Sequence, residues 1–429
     1  MELVLEKVNK LKGNIFVPGD KSISHRSLIL GSIAQGETRV YNLLNSLDCQ
    51  STLECMQSLG VKIDLDINNS VHIEGKGLYG LQEPKIILDV GNSGTSIRLL
   101  TGLLSGQNFY SVLNGDNSIR KRPMKRVVQP LRLMGADIWG REEGHFAPLS
   151  IKGNKLNHFQ YTLPVASAQV KSALLLAGLY TSGETVIREP LSTRDHTERM
   201  LEIMRADIKI SSSEIKIKGG KELRSTDIFI PGDISSAAYF LAAAGLIRNS
   251  KITINQVGVN PTRTGIIEIF KKMGTKIDIL NYQIQSNEPR ADLIVECSKL
   301  KGVGIKKESI PFLIDELPLI AVIATQAYGK TLVSGARELR VKESDRIQAI
   351  VSELKKMGAD IHEKEDGFMV NGPTRLKGAV CESYNDHRIA MSLAVAALLA
   401  EGKTVIRNSE CINISFPRFE KILQDLIDW

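Results

Sequence analysis

The sequence predicts an α/β chain of two lobes, each built from three copies of one unit, and three observations carry that expectation. A pattern recurs six times along the 429 residues at a spacing of roughly 70 to 80, longer than the roughly 20–50 of solenoid repeats. Every copy joins a helix that is apolar all round to a second helix with a single apolar stripe. Short β-type runs such as KITI (251–254) and DIFI (227–230) lie between the helices.

The first helix of each copy opens on polar residues, at Asp20, Asn92, Ala166, Asp233, Asp315 and Asp386. Each is expected to end at or near a glycine capping it in the left-handed conformation. The striped helix is clearest over 345–358, where Ile347, Ile350, Val351, Leu354 and Met357 share one face. Its relatives start near Ser51, Met124, His196, Gly265 and Arg418. A helix apolar all round must be buried, whereas a striped one can lie at a surface, so each copy supplies an inner and an outer helix.

Six such copies exceed what one core comfortably holds, which favours two domains. The cut falls where copies three and four meet, near Phe229-Ile230-Pro231-Gly232-Asp233. Val17-Pro18-Gly19-Asp20 echoes that string, so both read as crossings, near 18–21 and 230–233. The expected division is residues 1–20 with 232–429 in one lobe and 21–231 in the other.

Composition bounds the function. The chain is 42% hydrophobic and 24% charged, and its longest uncharged apolar run, 389–400, falls short of the ~20 residues a bilayer requires. Charges alternate with apolar residues at the N-terminus, which reads as a strand of the mature fold rather than a secretory signal. Cys49, Cys55, Cys297, Cys381 and Cys411 are scattered without metal-ligand spacing, as expected of reduced thiols in a cytoplasmic protein. A net charge of +7 and a pI near 9.0 suit acidic partners. A nucleic-acid binder would usually show a basic run or stacking aromatics. Outside the short loop of Arg120, Lys121 and Arg122 the prominent cations stand singly at the unit heads, as binding of small anions would require.

Those heads carry the candidate chemistry. Lys21, Ser22 and Arg26 open the first inner helix, whose free N–H groups favour anions. The string is no P-loop, and capping explains it equally well. Gly91-Asn92-Ser93-Gly94 lets a ligand approach the backbone, and Arg120, Lys121 and Arg122 sit on a loop before Pro123. Ser167, Ala168 and Gln169 head the third inner helix, and Arg194 precedes the third outer one. Capping is the simpler account of these, as it is of Asp315 and Glu316. Lys342 and Arg346 are four apart and so share a face at a helix N-terminus, where positive charge opposes the macrodipole. A purely structural site would tend to avoid that arrangement. His387 and Arg388 head the sixth inner helix.

Taken together, GDKSISHR, GNSGTSIRLL, SIRKRPM, VASAQVKSALLLAGL, PGDISSAAYFLAAA, IDELPLIA, RVKESDRI and NDHRIAMSLAVAAL occur in the order found in the 3-phosphoshikimate 1-carboxyvinyltransferases, or EPSP synthases. The resemblance spans essentially the whole chain. It implies the enolpyruvyl transferase fold, an inside-out α/β barrel arrangement in which each lobe holds three βαββαβ units, inner helices buried and sheets outside, with the active site between the lobes. It also implies transfer of the enolpyruvyl group of phosphoenolpyruvate to the 5-hydroxyl of shikimate 3-phosphate, with release of phosphate and no metal or organic cofactor. By the family's pattern Lys21, Ser22, Arg26, Ser167, Ala168, Gln169, Arg194, Asp315 and Lys342 hold shikimate 3-phosphate. Lys21, Asn92, Gly94, Arg122, Gln169, Arg346 and Arg388 hold phosphoenolpyruvate. Asp315, Glu343 and Lys21 are the expected proton-transfer groups, with His387 a lesser candidate.

Three positions resemble the second bacterial subgroup, which is often tolerant of glyphosate: Ala168 for a serine, Glu338 for an asparagine, and Ile414 where some relatives carry a lysine. Gly94 leaves room where an alanine would obstruct that inhibitor, so glyphosate is expected to compete with phosphoenolpyruvate. Two rivals remain to be set against this reading. The sister enzyme acting on UDP-N-acetylglucosamine typically has Lys-Asn in place of Lys21-Ser22 and a loop cysteine, which residues 118–124 lack. An RNA-end-processing protein of related repeat fold fits the pI but finds no stacking motif. The expected protein is a cytoplasmic monomer whose partners are its two small substrates, without nucleic acid or membrane.

Overall fold

In the computed structural model, which describes residues 1–66 and 70–427, the repeated pattern becomes a repeated piece of structure. Twelve helices of eight or more residues alternate along the described chain. They are α1 (Lys21–Ser32), α2 (Leu47–Ser58), α3 (Gly94–Ser105), α4 (Lys125–Leu133), α5 (Ala168–Gly178), α6 (His196–Ile203), α7 (Ile234–Leu246), α8 (Gly265–Met273), α9 (Leu317–Ala324), α10 (Arg346–Lys356), α11 (His387–Ala397) and α12 (Phe419–Ile427). The odd-numbered helices are the inner ones. Every residue of α9 is buried, as is α1 from Ile23 onward. Even-numbered α10 instead buries Ile347, Ile350, Val351 and Leu354 and leaves Gln348, Lys355 and Lys356 exposed.

Helix starts follow the local chemistry. Asp20, Ser93, Ser167, Asp233 and Asp386 each accept a backbone N–H of the following turn. Asp315 does not cap its helix; it lies in a 3-10 turn, Ile314–Glu316, and α9 begins only at Leu317-Pro318, where proline is at home in a first turn. The glycine caps also differ from expectation. No inner helix is followed directly by a left-handed glycine; their C-caps are Ile33, Gly106 (φ −94°), Leu179, Ile247, Thr325 and Leu398. The left-handed residues close the outer helices instead: Gly60 (φ 86°), Gly135 (93°), Gly274 (103°) and Gly358 (87°), with Arg205 (63°) in the corresponding place after α6.

The sheets share one plan. In the second unit Leu88–Asp89 pairs parallel with Tyr110–Asn114 on either side of α3 in sequence, and Phe146–Lys152 pairs antiparallel with both Tyr110–Asn114 and Asp137–Gly140. A parallel pair demands a crossover such as a helix, and the antiparallel pair closes the unit. Each of the six sheets has three to five strands in an open order, and none closes into a barrel among the described residues. Three units borrow strands from far along the chain. Leu223–Arg224 and Ile228–Phe229 both pair parallel with Ala34–Tyr41. Lys12–Phe16 pairs parallel with Lys251–Gly258, and Glu2–Leu5 pairs antiparallel with Thr404–Arg407.

The chain divides into two compact units. One comprises Met1–Pro18, Pro231–Gln283 and Pro289–Trp429, the other Gly19–Ile230 with Ile284–Glu288. Each has its own hydrophobic core. The turn Ile284–Glu288, which sequence groups with 232–429, is held by partners in the second unit: Ser286 Oγ accepts from Phe229 N at 2.9 Å, and the His196 Nδ1 to Glu288 Oε1 distance is 2.7 Å. Periodicity reports which face of a segment is buried but not which core it joins.

Candidate functional site

Within the unit formed by Gly19–Ile230, the sequence-derived candidates gather at the heads of α1, α3 and α5. Asp20 accepts from Ile23 N at 2.9 Å, which fixes the first turn and leaves Lys21 and Ser22 at its opening. Lys21 forms an ion pair with Asp48 of α2. Arg26 stands one turn further on and is buried. Its Nε donates to Thr197 Oγ1 (2.6 Å), Nη2 to Ser172 Oγ (2.7 Å) and Nη1 to Ser22 O (2.8 Å). Burial draws its guanidinium down to about 10, against the pull of the Glu198 carboxylate.

Arg122 and the glycine-rich turn meet directly. Asn92 Oδ1 accepts from Arg122 Nη2 at 2.7 Å, while its Nδ2 donates to Asp116 Oδ2 at 2.6 Å. A Cβ on Gly94 would lie 2.9 Å from Arg98 Nη1 and 3.0 Å from Arg122 Nη1, so the missing side chain keeps both guanidiniums close to the backbone. Gln169 joins this group, since its Oε1 accepts from Arg98 Nη1 (2.6 Å) and its Nε2 donates to Thr95 Oγ1 (3.0 Å). Ser167 caps α5 and Ala168 is its first residue. Arg194, partly exposed before α6, adds a like charge felt at Arg26.

In the other unit the candidates form a second cluster, centred on Arg346. This side chain, 1% exposed, donates from Nε to Asp386 Oδ2 (2.8 Å), from Nη2 to Glu343 Oε2 (2.6 Å) and from Nη1 to Asp315 Oδ1 (3.3 Å). Burial works against its charge, but the three carboxylates outweigh it and raise its pKa. Lys342 Nζ reaches the same Asp315 oxygen at 4.0 Å. Burial holds Lys342 below the ordinary lysine value, Asp315 opposing. Lys342 does not lie on α10 with Arg346; it follows a 3-10 turn, Arg337–Val341, and the two cations converge through Asp315 rather than through helical spacing. The unfavourable charge at the α10 N-terminus is thus offset by carboxylates. Arg388, on the first turn of α11, approaches Glu316 Oε1 at 3.4 Å. Burial opposes its charge too, and Asp315, Tyr239 and Glu316 outweigh it. Glu316 also accepts from Ser235 Oγ, which in turn accepts from Arg263 Nη2 at 2.6 Å.

Lys21, Ser22, Arg26, Asn92, Gly94, Arg122, Ser167, Ala168, Gln169 and Arg194 therefore belong to one unit, and Asp315, Lys342, Glu343, Arg346 and Arg388 to the other. Sequence reasoning missed Asp48, Arg98, Glu316 and Asp386 as partners. Arg98 carried a signal, being a guanidinium within a helix otherwise apolar. Asp48 carried none. Among the described residues no cluster of His, Cys, Asp and Glu is arranged to hold a metal ion, and no helix is long and apolar enough to cross a membrane.

The profile of the EPSP synthase (3-phosphoshikimate 1-carboxyvinyltransferase) family matches residues 5–423. The chain is 54% identical over 421 residues to a 3-phosphoshikimate 1-carboxyvinyltransferase of Thermoanaerobacter sp. (strain X514), covering 98% of this chain and 99% of that one. It is 51% identical over 429 residues to the enzyme of that description from Petrotoga mobilis, covering 99% of each. The chain belongs to the EPSP synthase family. The solved EPSP synthase of Acinetobacter baumannii superposes with a TM-score of 0.89 at 45% identity, covering 99% of this chain and 98% of that one. The two-unit mixed α/β architecture is that of an EPSP synthase. EPSP synthases use shikimate 3-phosphate and phosphoenolpyruvate, both multiply anionic, and cations in buried or partly buried settings suit such ligands.

Proposed function

We propose that the chain transfers the enolpyruvyl group of phosphoenolpyruvate to the 5-hydroxyl of shikimate 3-phosphate, releasing phosphate by addition and elimination through a tetrahedral intermediate. The observation that carries this reading is the full-length match to the EPSP synthase family, within which the candidate cations stand at the helix heads.

In this reading Lys21, Ser22, Arg26, Ser167, Ala168, Gln169, Arg194, Asp315 and Lys342 hold shikimate 3-phosphate. Lys21, Asn92, Gly94, Arg122, Gln169, Arg346 and Arg388 hold phosphoenolpyruvate, so both units serve one reaction. Arginine forks suit phosphate and carboxylate groups, and fixed cations stabilise charge as it develops in the transition state. Asp315 takes the proton from the attacking hydroxyl; Glu343 and Lys21 deliver and remove protons at the methylene carbon. The carbon–oxygen bond to phosphate then breaks, phosphate leaves with the bonding electrons, and loss of a methyl proton restores the double bond.

The chain sits in the second bacterial subgroup on the strength of Ala168, Glu338 and Ile414, acts as a monomer in the cytoplasm, and uses no cofactor. Glyphosate competes with phosphoenolpyruvate, since Gly94 leaves the approach to Arg98 and Arg122 open. Phosphate release measured with each substrate alone and with both together tests the assignment. Release that requires both is expected; release with UDP-N-acetylglucosamine in place of shikimate 3-phosphate would overturn it.

A further inference from the structure

Lys171 lies on inner helix α5 among Ala173, Leu174, Leu175, Leu176 and Ala177, yet it is a lysine with no exposure at all. Its Nζ is 2.8 Å from Glu189 Oε1 and 2.6 Å from Glu198 Oε1. Both carboxylates are nearly buried, and Glu198 Oε2 has no hydrogen-bond partner. A well-packed apolar trio of similar volume is often as stable as a buried ion cluster or more so, which makes stability a weak reason for these charges.

What the cluster touches suggests a different reason. Glu189 Oε2 accepts from Thr193 Oγ1 at 2.7 Å, tying down the loop residue that precedes Arg194. Glu198 belongs to α6 beside Thr197, and Thr197 and Ser172 are bonded to each other at 2.7 Å and to Arg26 at 2.6 and 2.7 Å. Lys171 is the neighbour of Ser172 on α5. One buried ammonium thus fastens helix α5, helix α6 and the intervening loop at the places that support Arg26 and Arg194. The Glu198 carboxylate also favours the charged form of Arg26.

We propose that Lys171, Glu189 and Glu198 are positioning residues that hold Arg26 and Arg194 in register for one anionic substrate, the phosphorylated hydroxy acid. This rests on the reading that Arg26 and Arg194 bind shikimate 3-phosphate. Misplacing a binding group by about 1 Å can cost up to ~100-fold, so loosening this scaffold acts on the KM for that substrate alone.

Steady-state kinetics with each substrate varied in turn tests it, using Thr193→Val and Glu189→Gln, which preserve shape, and Lys171→Met as the severe variant. The two mild variants should raise the KM for shikimate 3-phosphate on the order of 10-fold, leaving kcat and the KM for phosphoenolpyruvate within about 2-fold. In the Arg194→Ala background, Thr193→Val should add little, because the group it positions is gone. If Arg194→Ala raises the KM for shikimate 3-phosphate but Thr193→Val and Glu189→Gln leave it unchanged, the positioning role is overturned while the binding reading stands. An unchanged KM in Arg194→Ala itself overturns the binding reading, and this inference with it. Should Lys171→Met fail to fold, the two mild variants decide.

Discussion

Asp315 is the residue on which the proposed chemistry turns. It is flanked by Arg346 at 3.3 Å and Lys342 at 4.0 Å, so the carboxylate proposed as the proton acceptor is also an ion-pair partner. Asp315→Ala is expected to lower kcat by roughly 10²–10⁴ if it performs acid–base work, with the fold retained by circular dichroism. Near-normal turnover would remove it from the mechanism. Lys342 makes a second prediction. Because burial depresses its pKa, its charge is lost as pH rises at a point below the ~10.4 of a free lysine. The kcat/KM for shikimate 3-phosphate should therefore fall on the alkaline side earlier than for an unperturbed lysine, and Lys342→Arg should push that limb to higher pH. The same depression has the opposite sign for folding, since burying the ammonium costs stability that is regained as pH climbs from the folded to the unfolded pKa. An alkaline limb unchanged in Lys342→Arg would assign it elsewhere. At this scale the sequence was partly legible. Asp315 and Glu343 were among the motif residues, but Asp386 and Asp48 were not read as ion-pair partners, because Asp386 reads as the opening of a helix and nothing local marks Asp48.

At the scale of elements, five of the outer helices end in one recurring device. After α4, for example, Gly135 N bonds to Arg132 O at 2.9 Å and Ala136 N to Leu131 O at 3.0 Å. The same pair of bonds follows α2, α8 and α10, and also α6, where Arg205 occupies the left-handed position. This is the Schellman arrangement, and glycine suits it because a left-handed conformation costs other residues about 1–2 kcal/mol. Arg205→Gly should stabilise the protein by roughly 0.5–1 kcal/mol, the backbone gain being partly offset by the extra freedom of glycine in the unfolded chain. A lowered denaturation midpoint would show that the Arg205 side chain contributes more than its backbone strain removes. Helix existence and type were legible from periodicity, since a buried helix and a striped one differ at every turn. Which helix received the left-handed glycine cap was not, because glycines lie near the ends of both kinds and composition does not tell which of them takes a positive φ.

For the whole molecule, legibility stopped at tertiary partnership. Six units were visible as repeats, but three borrow strands that no local pattern assigns: Leu223–Arg224 and Ile228–Phe229 beside Ala34–Tyr41, Lys12–Phe16 beside Lys251–Gly258, and Glu2–Leu5 beside Thr404–Arg407. The turn Ile284–Glu288 likewise belongs to a compact unit that its flanking segments do not. Deleting residues 1–18 should strip a parallel partner from one sheet and an edge strand from another, exposing Ile252 and Ile254, and the truncated chain should lose cooperative unfolding of that unit. Retention of a single native-like transition would show those strands to be dispensable.

Those first eighteen residues also bear on synthesis. They are synthesised well before their partners: Lys12–Phe16 waits for Lys251–Gly258, about 240 residues later, and Glu2–Leu5 for Thr404–Arg407, about 400 residues later, which at roughly 5–20 residues per second is some 12–50 and 20–80 seconds. Most of Gly19–Ile230 can meanwhile assemble during translation. The segment must wait as an unmatched ribbon, and Glu2, Glu6, Lys7, Lys10 and Lys12 spaced among its apolar residues are the kind of charges that discourage an unpaired strand from adhering to others.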